Sequence, residues 1–94
     1  MLIISKRVAR TFFDLTKEEQ ISIIELLNEC KKYLDKIYAP DGYNVGLNCE
    51  EAAEQTYMHI HMHIIPRYKG DIDNPRGGIR AVIPNKKDSI KKIY

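Results

Sequence analysis

No stretch of this 94-residue chain is apolar for long enough to cross a bilayer, since a spanning helix needs about 20 such residues. The opening Leu2-Ile3-Ile4 is too short for a secretory leader and runs straight into Lys6 and Arg7. No membrane partner is therefore expected. Cysteine is scarce: Cys30 and Cys49 form neither a CxxC pair nor a disulfide framework, which is the usage of a reducing, cytoplasmic compartment. Both read as core residues rather than reactive thiols. No basic patch is interleaved with aromatics, so nucleic acid is not an expected partner. Repeats, linkers and low-complexity tracts are also missing, which leaves a single domain over residues 1–94. A domain of this size buries only about 60–65% of its unfolded surface, so a homodimer is expected.

What is present is unevenly charged. Residues 1–64 carry seven basic and ten acidic side chains, and residues 65–94 carry eight basic and three acidic ones. The basic part suits a polyanionic small molecule such as a nucleotide phosphate chain. For Lys86, Lys87, Lys91 and Lys92 a solvated terminus is the simpler account.

Residues Met1 to Ser5 read as a short strand. Thr16 and Glu19 have the spacing of a capping box. Ile23, Leu27, Cys30, Leu34 and Ile37 then recur at three- and four-residue steps, which predicts a helix of five or six turns covering one face of a sheet. Pro40-Asp41-Gly42 ends the connection. Tyr43 to Asn48 reads as a second strand, and Cys49 to Gln55 as a short loop. A third strand is expected from Thr56 or Tyr57 until Pro66 stops it, paired with the second as an antiparallel hairpin. Beyond it come a turn-rich loop at Asn74 to Gly78, a short strand at Ile79 to Ile83 and a helical turn or two at Asp88 to Tyr94.

The third strand holds the chemistry. His59-Ile60-His61-Met62-His63-Ile64-Ile65 contains the chain's only three histidines, and their strict alternation puts all three imidazoles on one face of a strand. Ile60, Met62 and Ile64 take the other face, toward a core. Near neutral pH each imidazole can be nucleophile, acid, base or metal ligand. Like-facing neighbours lie roughly 6.5–7 Å apart, near enough to share one phosphate-sized ligand. Zinc is the main rival, but the first and third histidines are roughly 13–14 Å apart along a straight strand, which is awkward for one ion. No metal or other cofactor is expected.

His59-x-His61-x-His63-Ile64-Ile65 is the histidine-triad motif. Together with Asp41-Gly42-Tyr43-Asn44-Val45-Gly46-Leu47-Asn48, Ala52-Ala53-x-Gln55-Thr56, Ile65-Pro66-Arg67-Tyr68-x-Gly70-Asp71 and Asn74-Pro75-Arg76-Gly77-Gly78, it resembles the histidine-triad (HIT) family, in its diadenosine-polyphosphate-hydrolase-like branch. The resemblance implies an α+β fold, an antiparallel sheet with one long helix packed on a face, N-terminally shortened ahead of the Leu2-Ile3-Ile4 strand. Glu54 stands where the family usually has glycine, beside the phosphate site, and Val8 where a histidine often follows Lys-Arg. A carboxylate beside a phosphate is repulsive unless it points away.

The resemblance also implies the roles. His61 is the nucleophile, its tautomer set by the backbone carbonyl of His59. His63 binds phosphate oxygen or assists the leaving group, and His59 is the more buried and structural of the three. Asn48 and Thr56 donate to the substrate phosphate, with Gln55 beside them in the substrate-binding set. Arg67, Arg76 and Arg80 are candidates for a distal phosphate, with surface solvation the equal alternative for each. The expected function is cleavage of a phosphoanhydride or phosphoramidate bond of an adenine nucleotide through a nucleotidyl-histidine intermediate. The alternative is a shortened HIT-like protein that binds nucleotides with weak activity or none.

Overall fold

The computed structural model describes residues 1–86. The helical turns expected at Asp88 to Tyr94 lie outside the described residues. Strand β1 (Leu2–Ile4) is followed by a 3-10 turn at Phe12–Asp14, helix α1 (Lys17–Tyr38), strand β2 (Gly42–Gly46) and strand β3 (His61–Arg67). The three strands form one antiparallel sheet in the order β1-β3-β2. One long helix on a small antiparallel sheet is the α+β arrangement that the sequence pattern requires.

Helix α1 begins where the capping box sets it. Thr16 accepts from the Glu19 amide, and the Glu19 carboxylate accepts from the Thr16 amide, so two amides that the helix leaves unpaired are met. Arg7 adds a two-pronged pair with Glu19. A second capping box, Thr11 with Asp14, closes the preceding 3-10 turn. At its far end α1 stops on Ala39 in the left-handed conformation, ahead of the Pro40-Asp41-Gly42 signal.

The core holds Ile3 from β1, Ile23 and Leu34 from α1, and Ile60, Met62 and Ile64 from the histidine segment, with Ala9 and Leu15 from the connection. Leu27 and Cys30 pack against it. Ile37, expected to face inward, is exposed. A 22-residue helix is about 33 Å long, whereas a seven-residue strand reaches only about 23 Å, so the sheet is too short to cover every turn.

Four sequence expectations need correction. Strand β3 starts at His61, not at Thr56 or Tyr57, because its β1 partner ends at Ile4, which pairs with His61. Before that point the Ile60 amide donates to Ala9 instead. Pro66 does not stop the strand; it sits inside it, opposite Tyr43. The Ile64 amide points toward β1, where it donates to the Met1 carbonyl. The nitrogen of Pro66 faces the same side, past the end of β1, where no ladder bond is lost. Ile79 to Ile83 is not a strand either: residues Gly78–Val82 form a 3-10 helix. Gly77 and Gly78 both have positive φ, and bonds from Gly78 to Pro75 and from Arg80 to Gly77 coil the segment. Strand β2 also ends earlier than expected, at Gly46.

Candidate active site

The alternation puts His61 and His63 on the sheet face opposite the core, and buried Ile60, Met62 and Ile64 hold that orientation from below. A one-residue slip would turn three large apolar side chains into water. The His61 and His63 rings stand edge to face with centroids 5.2 Å apart. Across the ladder, Ile4 pairs with His61, and Leu2 and Gly46 flank His63.

His61 Nδ1 is 2.8 Å from the backbone oxygen of His59. A carbonyl only accepts, so Nδ1 carries a proton, and the neutral form of the ring has its lone pair on Nε2. His59 is held differently. Its Nε2 is 3.0 Å from the Ser5 carbonyl and 3.2 Å from the Ser5 hydroxyl. That hydroxyl already donates to the Arg7 carbonyl at 2.6 Å, so His59 Nε2 is the donor to both oxygens. His59 thus ties the exit of β1 to the entry of the triad. All three imidazoles are half-buried.

Asn48 and Thr56 are exposed. Asn48 lies two residues past the Gly46–His63 pair, so the register carries it toward His61. Gln55 is 97% withdrawn from solvent, and its amide is fully engaged. Oε1 accepts from the Glu50 amide at 2.7 Å, and Nε2 donates to the carbonyls of Arg10 at 2.6 Å and Tyr57 at 3.2 Å. With both N–H groups taken, Gln55 shapes the loop ahead of the triad and has no donor left for a phosphate. The same loop holds Glu50 and Glu54 at φ of 74° and 63°, a region that favours glycine. Glu54 is the position at which the family resemblance leads us to expect glycine.

Arg67 shares the histidine face but is committed elsewhere. It grips Asp71 with two bonds, at 2.7 and 2.8 Å, and donates to Asn44 at 2.6 Å. The pairing holds the Asp71 carboxyl well below the usual carboxylate range, through the Arg67 hydrogen bond first and the Tyr68 amide second. Arg76 and Arg80 are exposed on the segment laid over β2. There Gly78 lies against Asn44, and Ile79 against Gly46. A cleft of about 360 Å³ between this segment and the Arg67 end of the sheet is lined by none of the three histidines. Among the described residues, no three His, Cys, Asp or Glu side chains converge to hold a metal ion.

Two contributors escaped the sequence reading. Ser5 carries no signal, since its part depends on a strand pairing between distant residues. Tyr57 does carry one: it is in phase with His59, His61 and His63, and its ring lies beside the first two.

The HIT domain family model matches residues 1–70. The bis(5'-nucleosyl)-tetraphosphatase [asymmetrical] of Schizosaccharomyces pombe is 31% identical over 71 residues, which are 76% of this chain and 39% of that protein. The bis(5'-adenosyl)-triphosphatase of Dictyostelium discoideum is 32% identical over 74 residues, 79% of this chain and 50% of that one. The crystal structure of a HIT-like protein from Bartonella henselae superposes with a TM-score of 0.71 at 34% identity, over 78% of this chain and 55% of that chain. The chain spans about half the length of the curated relatives it matches.

Proposed function

Because the chain belongs to the HIT family, we propose that it is a nucleotide hydrolase that cleaves a phosphoanhydride or phosphoramidate bond of an adenine nucleotide through covalent catalysis by His61. The observation that carries this reading is the 2.8 Å bond from His61 Nδ1 to the His59 carbonyl. It supports a neutral imidazole whose Nε2 lone pair is directed away from the core, the form a nucleophile needs.

In the first step Nε2 attacks phosphorus. The phosphorus–nitrogen bond forms as the bond to the leaving oxygen or nitrogen breaks, and His63 gives that atom a proton. The developing charge on the His61 ring is met by the His59 carbonyl. In the second step water attacks the same phosphorus and returns its proton to His63, and His61 is released neutral with a nucleoside monophosphate. Phosphoryl-group chemistry of this kind depends on positioning and charge stabilisation. Asn48 and Thr56 are the neutral donors proposed for the phosphate oxygens. A homodimer belongs to the same reading, favoured by the exposed Leu2 and Ile4 side chains on the edge strand β1.

Glu54 favours a second reading, in which the chain binds nucleotides and turns over slowly or not at all, since its carboxylate belongs to the loop ahead of the triad. Release of nucleoside monophosphate from diadenosine tetraphosphate and from an adenosine phosphoramidate separates the two, with His61→Ala and a chelator as controls. Release that survives chelator and disappears in His61→Ala is the expected result. Release that persists in His61→Ala would overturn the nucleophile assignment. Nucleotide binding without release in the wild type would favour the binder.

A further inference from the structure

The four rings His59, Tyr57, His61 and His63 form a continuous row, and one of them has no part in the chemistry proposed above. The Tyr57 ring centroid is 6.2 Å from that of His59 at an interplanar angle of 52°, and 6.3 Å from that of His61 at 42°. Among the ring contacts, His63 touches His61 alone. His61 is therefore flanked by His63 on one side and by the tyrosine on another.

Tyr57 is 67% exposed, so most of its ring surface faces solvent while the rest leans on the imidazoles. An exposed apolar residue is ordinary by itself; its position here is not. The backbone on either side is anchored. The Tyr57 carbonyl accepts from buried Gln55, and the Ile60 amide is bonded to Ala9. The backbone that carries the ring is thus fixed beside the nucleophile before any ligand arrives, which lowers the entropy lost when the ring is used. An exposed aromatic face beside a phosphoryl-transfer centre suits a second planar ring, because offset stacking removes apolar surface from water and aligns the quadrupoles.

We propose that Tyr57 is a specificity-determining residue whose ring stacks against a planar aromatic group carried by the substrate. The inference rests on the hydrolase reading of the triad and deepens it. The aromatic group has two possible sources, the base of the transferred nucleotide or an aromatic leaving group.

The test compares wild type, Tyr57→Phe and Tyr57→Leu on three phosphoramidates. One has a base and an ammonia leaving group (adenosine 5'-phosphoramidate). The second has no base and an aniline leaving group (ribose 5-phosphate anilide). The third has neither (ribose 5-phosphoramidate). Tyr57→Leu is expected to lower kcat/KM roughly three- to tenfold on the arm that carries the stacked ring, while Tyr57→Phe stays within about twofold. The third substrate is expected to be unaffected. Which of the first two arms responds identifies the source. An equal loss on the third substrate overturns the inference, because Tyr57 then only braces the imidazoles. No loss on any arm overturns it as well. If the wild type turns over none of the three, the phosphoramidate part of the hydrolase reading fails by itself. Calorimetric binding of AMP and of ribose 5-phosphate then decides the inference for the base. A base-dependent affinity gain that shrinks in Tyr57→Leu sustains it, and an unchanged gain overturns it.

Discussion

His59 Nε2 lies 3.0 Å from the backbone oxygen of Ser5, across 54 residues of chain. The bond closes the end of the β1–β3 pairing, where the ladder has already stopped at Ile4 and His61. It also fixes the backbone whose carbonyl orients His61.

Replacing His59 by Ala removes the side chain that reaches both Ser5 oxygens. Because Ser5 is buried, the unmet carbonyl is expected to cost about 1–3 kcal/mol. Urea denaturation measures this directly. A midpoint equal to wild type would mean that water replaces the imidazole and that His59 is not a tie.

Gln55 is the next test of how the loop is held. Gln55→Leu keeps the volume but leaves the Glu50 amide and the Arg10 and Tyr57 carbonyls without their partner. Loss of about 2–3 kcal/mol is expected from stranding such groups, together with faster proteolysis between Cys49 and Tyr57. Stability unchanged within error would show that the loop satisfies these groups in another way.

Glu54 offers a gain. A left-handed residue other than glycine carries about 1–2 kcal/mol of strain, and glycine gives back about 0.5–1 kcal/mol of the benefit through its freer unfolded chain. Glu54→Gly is therefore expected to stabilise the fold by roughly 0.5–1 kcal/mol and, by removing a carboxylate, to raise nucleotide affinity. Titration with AMP beside a thermal melt checks both. Weaker binding in the variant would mean that the carboxylate assists the ligand.

Acid should loosen the start of α1. The Arg7 hydrogen bond first, and the Thr16 amide second, hold the Glu19 carboxyl at about 2 against an ordinary 4.5. The folded state binds this proton less readily than the unfolded state does. The stabilising contribution is thus whole above about 4.5 and disappears as the pH falls toward about 2. Denaturation midpoints across that window should fall less steeply in Arg7→Ala than in wild type. Identical slopes would remove the pair from the account.

At the alkaline end the sign reverses. Loss of hydration, and then the bond to Asp35, raise the Tyr43 phenol from 10 to about 12. Its contribution is whole below about 10 and is lost as the pH rises through about 12. Tyr43→Phe should lack that alkaline transition when followed by tyrosine absorbance and urea midpoints together.

Local pattern was enough for much of this protein. Thr16 and Glu19 mark the helix start because a capping box needs only residues within one turn. The alternation from His59 to Ile65 assigns a polar and an apolar face because a strand's side chains have period two whatever they pair with. The family motif names His61 and the His59 carbonyl by the same local spacing.

Everything that depended on a partner distant in the chain was decided by the tertiary structure. Pro66 stays in β3 because β1 ends before it needs an amide there, and β3 begins at His61 because β1 ends at Ile4. Gln55 is a buried strut rather than a phosphate donor because Arg10 and Glu50 fold around it. Tyr57 lies beside His59 and His61 because loop closure brings its ring there. Sequence periodicity reports which way a side chain faces. Which groups wait for it there depends on contacts across the chain, and those exist only once the three strands and the helix have closed on one core.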